Sequence, residues 1–301
     1  LSDEKRLEWM RRPEGGGRLA LWAIRTLALR VGRAPARFVL VFVAAYFVIR
    51  RGGERRASRA YLARALGRPA TLLDVWTHMY TFATVTLDRV FLLTEEFRRF
   101  EITTHGIEAI QHVLELGQGA LLIGAHVGSF DALRVLALQR PETPVRPVID
   151  LEQNPTVSLM LNALNPAIAR NIINARQDGT TTALAIHEAL QQQALVTLLA
   201  DRARPGNRMV TVDLLGAPAA LPTATWLLAA SLRVPVVLCF GLYRGGRRYD
   251  LHFEAFSDGI AIPRASRAAA VTDLVQRFAD RLSHYVRKAP YNWFNFYDLW
   301  V

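Results

Sequence analysis

Beyond residue 101, short apolar runs alternate with amphipathic stretches, and that alternation leaves few architectures open. Strands are expected over 119–124, 145–149, 171–174, 194–200, 209–213, 234–240 and 249–253. Helices are expected over 107–116, 130–139, 156–163, 181–192, 223–232 and 267–287. The strand runs are too brief for helices and are bounded by glycine, proline or polar residues. Strand and helix in turn imply an α/β fold with a mostly parallel central sheet flanked by helices. Residues 62–100 are helical in character and lead into it. In such sheets ligands bind beyond the carboxyl ends of the strands. His126, Asp150 with Asn154, Arg176, and Asp201 with Arg202 lie just past strand ends and are expected to face one crevice.

Charge divides the chain. Residues 1–68 hold 16 Lys and Arg against 5 Asp and Glu, so the whole net charge of +11 lies there and residues 69–301 are balanced. A basic leader points to a polyanionic partner. Its arginines are interleaved with apolar stretches, 19–31 and 38–49, which nucleic-acid arms lack, so nucleic acid is set aside in favour of an anionic membrane surface. As helix, residues 38–49 span only ~18 Å, against ~30 Å for a hydrocarbon core, so a clean crossing is not expected. A basic, apolar, helical membrane-associating segment over 1–68 is expected to precede an α/β domain over 69–301. Packing of the same helices on the body as a cap is the other reading, and the two are compatible. Arg25 and Arg30 inside the first apolar stretch argue against a secretory signal.

The chemistry concentrates at Gly124-Ala125-His126-Val127-Gly128-Ser129-Phe130-Asp131, where a strand runs into a helix. Ser129 reads as the helix N-cap and Asp131 as a first-turn acid. A bend between His126 and Asp131 lets Asp131 hydrogen-bond His126 and leave the other ring nitrogen as a general base. The alternative is structural: His126 bonds a backbone carbonyl and Asp131 complements the helix dipole. Backbone N–H groups of Gly128 and Ser129 are candidate donors to an oxyanion. The loop 201–208 carries three arginines, Arg202, Arg204 and Arg208, a composition suited to phosphate or pyrophosphate, with a solvated turn as the other reading.

Other chemistries lack their signatures. Ser129 is not in a G-x-S-x-G elbow, and neither G-x-x-x-x-G-K nor G-x-G-x-x-G occurs. The seven histidines show no H-x-x-x-H spacing, and the single cysteine, Cys239, lies in an apolar strand run. No metal or cofactor is therefore expected. Transfer in which an acceptor hydroxyl attacks an activated acyl group suits a general base with no nucleophile of its own.

These residues resemble the acyltransferases with an H-x-x-x-x-D/E signature, and within them the late acyltransferases of lipid A biosynthesis. Further blocks are similar to that branch in the same order: Asn154-Pro155, Ala200-Asp201-Arg202, Leu215-Gly216-Ala217-Pro218-Ala219-Ala220-Leu221-Pro222-Thr223, and the tail from Pro290 to Trp300. The resemblance covers residues ~100–301. It implies transfer of a fatty acyl group from an acyl carrier protein or coenzyme A thioester to a hydroxyl of a membrane lipid, at the cytoplasmic face of the bacterial inner membrane. It implies His126 and Asp131 as catalytic residues. Ser129, Asn154, Arg176, Asp201, Arg202 and Arg204 are taken as substrate-binding candidates. The G-x-x-F-x-x-R block of glycerol-phosphate acyltransferases is absent, which disfavours a lysophospholipid acceptor, and only Arg170 and Arg176 lie near an arginine expected at 160–170. A lipid A-like glycolipid or an aryl polyene-type lipid is the expected acceptor. A thioesterase using water, and an inactive lipid-binding protein, are the alternatives.

Overall fold

A computed structural model describes residues 26, 30, 32–133, 143–151, 169–175, 179–203 and 206–300. Among the described residues three helices come first: α1 (Arg33–Arg50), α2 (Gly52–Leu66) and α3 (Leu72–Leu92). The α/β part follows as β1 (Glu101–His105), α4 (Glu108–Glu115), β2 (Ala120–Gly124), β3 (Val145–Ile149), β4 (Ile173–Asn174), α5 (Gly179–Gln191) and β5 (Leu195–Leu199). It continues with β6 (Met209–Leu214), β7 (Ala217–Pro222), α6 (Ala224–Leu232), β8 (Val236–Tyr243), β9 (Arg248–Ser257) and α7 (Arg267–Lys288). Among the described residues seven strands form one sheet in the order β1-β9-β8-β2-β5-β3-β4, and β6 and β7 form a separate hairpin. Every pairing in the large sheet is parallel except β8 with β9. The expected α/β class with a mostly parallel, helix-flanked sheet is what the chain adopts.

Burial explains the central strands. Every residue of β2 is buried, as are the first seven of β8, because both faces of the sheet are covered. One apolar cluster gathers Leu121, Ile123, Val196, Leu238, Phe240, Phe278 and Leu282 against α7, and the other gathers Leu122, Leu195, Val237 and Cys239 on the opposite face. Cys239 is plain core, 1% exposed.

Two elements differ from the sequence-based expectation. Glu101–His105 is a strand, β1, although only Ile102 in it is apolar. It lies at the sheet edge against β9, where one face needs no apolar cover. Ala217–Pro222 pairs with β6 despite two prolines, because this two-stranded hairpin lies outside the central sheet. The expected helix over 130–139 is described only at its start, a 3₁₀ turn over Asp131–Leu133, and the one over 156–163 lies outside the described residues.

The leading helices are continuous with the body. Tyr61 and Leu62 of α2 are fully buried in the larger cluster, and Ala36 and Leu40 of α1 belong to the other. Arg33 reaches Asp88 of α3 through Nε at 2.6 Å and Nη2 at 2.8 Å, and Tyr249 donates to the same carboxylate at 2.8 Å. Thr71 and Asp74 form a reciprocal capping box that starts α3, and Arg68 and Tyr291 also donate to Asp74. The opposite side of α1 is apolar and exposed: Phe38, Val39, Phe42, Tyr46 and Ile49. Among the described residues no helix is long and apolar enough to cross a membrane.

Candidate active site

Strand register creates the site. β2 and β5 are parallel neighbours with Gly124 opposite Leu199, so the residues two steps beyond each strand, His126 and Asp201, emerge side by side. His126 Nδ1 lies 2.8 Å from Asp201 Oδ1, and the His126 amide donates to Oδ2 at 3.1 Å. Trp293 Nε1 donates to Oδ2 at 2.9 Å. Asp201 is 1% exposed, so its charge stands on these three donors and on Arg202 beside it. Burial alone would raise its carboxyl, but His126, Arg202 and Trp293 outweigh that and hold it well below the usual carboxylate range.

The geometry assigns the imidazole tautomer. An ionised carboxylate only accepts, so Nδ1 carries the proton and Nε2 is left as the basic nitrogen. Burial and the neighbouring Arg202 lower the His126 pKa, with Asp201 opposing them. The side chain keeps 31% exposure. A neutral, oriented imidazole reachable from outside can take a proton from a hydroxyl.

The carboxyl-terminal segment fixes the turn. Phe294 N donates to the His126 carbonyl at 2.9 Å, and Gly128 N to the Asn292 carbonyl at 2.7 Å. Gly128 has φ +61°, and a Cβ there would run into the Gly241 carbonyl oxygen, so only glycine fits. Trp293 is held from behind by His78 of α3, whose Nε2 donates to the Trp293 carbonyl at 2.8 Å while Nδ1 accepts from Ser58 at the same distance.

Several expectations are corrected here. Asp131 does not orient His126: its Oδ2 accepts from Arg89 Nε at 2.6 Å, and the ring proton goes to Asp201. Asp131 sits in a turn that carries its side chain to the end of α3, whereas β-sheet pairing delivers Asp201 to the ring. The Gly128 and Ser129 amides are not free for an oxyanion either, since Gly128 N donates to Asn292 and Ser129 N to Gly241, both at 2.7 Å. Ser129 is 1% exposed and its Oγ accepts from Ala132 N at 3.3 Å, so it caps the turn. Arg202 donates through Nη2 to the Phe294 carbonyl at 2.7 Å, and its buried Nε has no hydrogen-bond partner among the described residues. Asn154, Arg176 and Arg204 lie outside the described residues. Asp150 follows β3. Arg89, Trp293 and His78 were not singled out from sequence; a lone arginine or histidine in a helix and a tail tryptophan carry no local signal.

Residues 16–301 match the family described as bacterial lipid A biosynthesis acyltransferase. No curated protein matches the chain.

The buried supporting histidine makes stability pH-dependent. Burial lowers the His78 pKa to about 4, with its bond to Trp293 opposing. The unfolded chain binds this proton near pH 6.5 and the folded one only near 4, so stability falls as pH drops through that window. His78 alone accounts for up to about 3 kcal/mol. Urea unfolding from pH 7 to 4 is expected to show this loss, and His78→Asn to flatten the slope while being less stable at pH 7. An unchanged slope in the variant contradicts it.

Proposed function

Taking as premise that the chain belongs to the bacterial lipid A biosynthesis acyltransferase family, whose members act on lipid-like acceptors, we propose that it is an O-acyltransferase peripheral to the bacterial inner membrane. It works at the cytoplasmic face. It moves a fatty acyl group from an acyl carrier protein or coenzyme A thioester to a hydroxyl of a lipid A-like glycolipid or an aryl polyene-type lipid. The observation that carries the reading is the 2.8 Å contact between His126 Nδ1 and Asp201 Oδ1, which leaves Nε2 as a base.

In this mechanism His126 Nε2 takes the acceptor's hydroxyl proton as its oxygen attacks the thioester carbonyl. A carbon–oxygen bond forms, and the tetrahedral oxyanion collapses by breaking the carbon–sulfur bond. The imidazolium returns its proton to the departing thiolate, and the ester and thiol leave. Asp201 stabilises the transient imidazolium. The Gly128 and Ser129 amides being engaged, the oxyanion falls in the field of Arg202 and of Arg89, both of which act electrostatically on His126. Asp131 serves by holding Arg89. Arg202 doubles as a candidate phosphate contact, and Asn154, Arg176 and Arg204 keep their substrate-binding assignment from sequence.

Activity measured with an acyl thioester donor and lipid acceptor is expected to fall about 10²–10⁴-fold in both His126→Ala and Asp201→Asn. Undiminished turnover in either variant contradicts the mechanism.

Membrane association rests on α1. Its exposed Phe38, Phe42, Tyr46 and Ile49 recur at helical spacing on one side, with Arg50 and Arg51 at the end, which suits shallow insertion beside anionic headgroups. Because Leu40 is 1% exposed on the other side, deleting the helix would also damage the core, so single substitutions separate the roles. Phe42→Ser is expected to weaken co-sedimentation with anionic vesicles while changing stability by about 0.5 kcal/mol or less. Leu40→Ala is expected to lose about 2–5 kcal/mol in urea unfolding. Vesicle binding unaffected by Phe42→Ser paired with Phe38→Ser contradicts the membrane role.

A further inference from the structure

Away from the catalytic turn, the far edge of the sheet holds a group of side chains that the reaction does not use. β1 and β9 pair in parallel with His105 opposite His252, so both imidazoles project from the same face. Asp250 precedes His252 by two residues and shares that face. One ligand atom from each of the three lies within 4.8 Å of the others. Among the described residues no other three His, Cys, Asp or Glu side chains are so arranged. The spacing rule for histidines on one helix misses such a group, because its members come from strands about 150 residues apart in sequence.

We propose that His105, Asp250 and His252 bind a zinc-class divalent ion that staples the edge strand β1 to β9. Two imidazole nitrogens and one carboxylate oxygen form a ligand set that suits zinc, with water completing a tetrahedron. The rings now stack, with centroids 4.5 Å apart and planes 11° apart. His252 is buried and fixed, and His105 is exposed on the edge strand, so rotation of His105 closes the site.

Neighbouring groups set the affinity. Lys288 Nζ, from the last turn of α7, lies 3.4 Å from His252 Nε2 and competes with a cation there. Lys288 is exposed and its stem is flexible, so the ammonium swings into solvent when the ion enters. Arg244 Nε pairs with Asp250 Oδ2 at 3.1 Å, which leaves the carboxylate its other oxygen. The Tyr285 ring covers His252 from α7, with its hydroxyl donating to Glu254. The site therefore carries a built-in opponent, and removing that opponent gives a readout that surface histidines in general do not share.

The experiment is zinc titration of the full chain, free of any histidine tag and stripped with chelator, followed by calorimetry and thermal unfolding. One zinc per chain is expected, together with a rise in Tm. His105→Gln, a change at an exposed position that does not threaten the fold, is expected to weaken binding about tenfold or more and to abolish the Tm rise. Lys288→Met is expected to tighten binding severalfold. Absence of stoichiometric zinc binding at micromolar concentration, or binding that His105→Gln leaves unchanged, overturns the proposal.

Discussion

Asp201 is the charge on which the candidate active site depends. A carboxylate that is 1% exposed survives only with its oxygens satisfied, and the three donors that satisfy it come from two distant segments of the chain. The His126 amide and imidazole come from the turn after β2, and the Trp293 indole from the carboxyl-terminal segment. One anion thereby sets the ring's tautomer, holds the turn to the neighbouring strand and ties down the tail. Removing it leaves two N–H donors and an imidazole without their acceptor at a buried position.

The leading helices extend the same logic outward. Besides Asp88, which Arg33 and Tyr249 hold, α3 carries polar side chains that reach the tail and the turn after β2. Asp74 meets Tyr291, His78 meets Trp293, and Arg89 meets Asp131, so a single helix braces the tail and the far side of the catalytic turn. α1 then covers α3 with its small and aliphatic side, Ala36, Leu40 and Ala44, and turns aromatic residues outward. The basic apolar leader that stands out in sequence is thus two things at once. One side completes the core, and the other presents exposed apolar side chains, which is the face the proposed membrane role draws on.

Much of the architecture was legible because burial on both faces of a sheet demands continuous apolar runs, as in Leu121-Leu122-Ile123 and Val236-Val237-Leu238. β1 was not, since Glu101, Thr103, Thr104 and His105 form a polar edge whose pairing depends on β9, far along the chain. The site was legible in its membership but not in its connections. His126, Asp131, Asp201 and Arg202 all stand out at strand ends, yet sequence spacing favours the acid five positions from His126. The true neighbour is 75 residues away, because β5 is inserted beside β2, between it and β3. Nothing local encodes that strand order. Arg89 and His78 were hidden for the same reason, as each matters only through a partner brought from another element.

The account rests on which carboxylate holds the imidazole. Nitrogen-15 and proton NMR of the His126 ring measures this directly. A protonated Nδ1 with a downfield hydrogen-bonded proton, and a lone pair on Nε2, are predicted in the wild type. That proton signal should vanish in Asp201→Asn and persist in Asp131→Asn. The reverse pattern, with the signal lost on changing Asp131 and kept on changing Asp201, would contradict it.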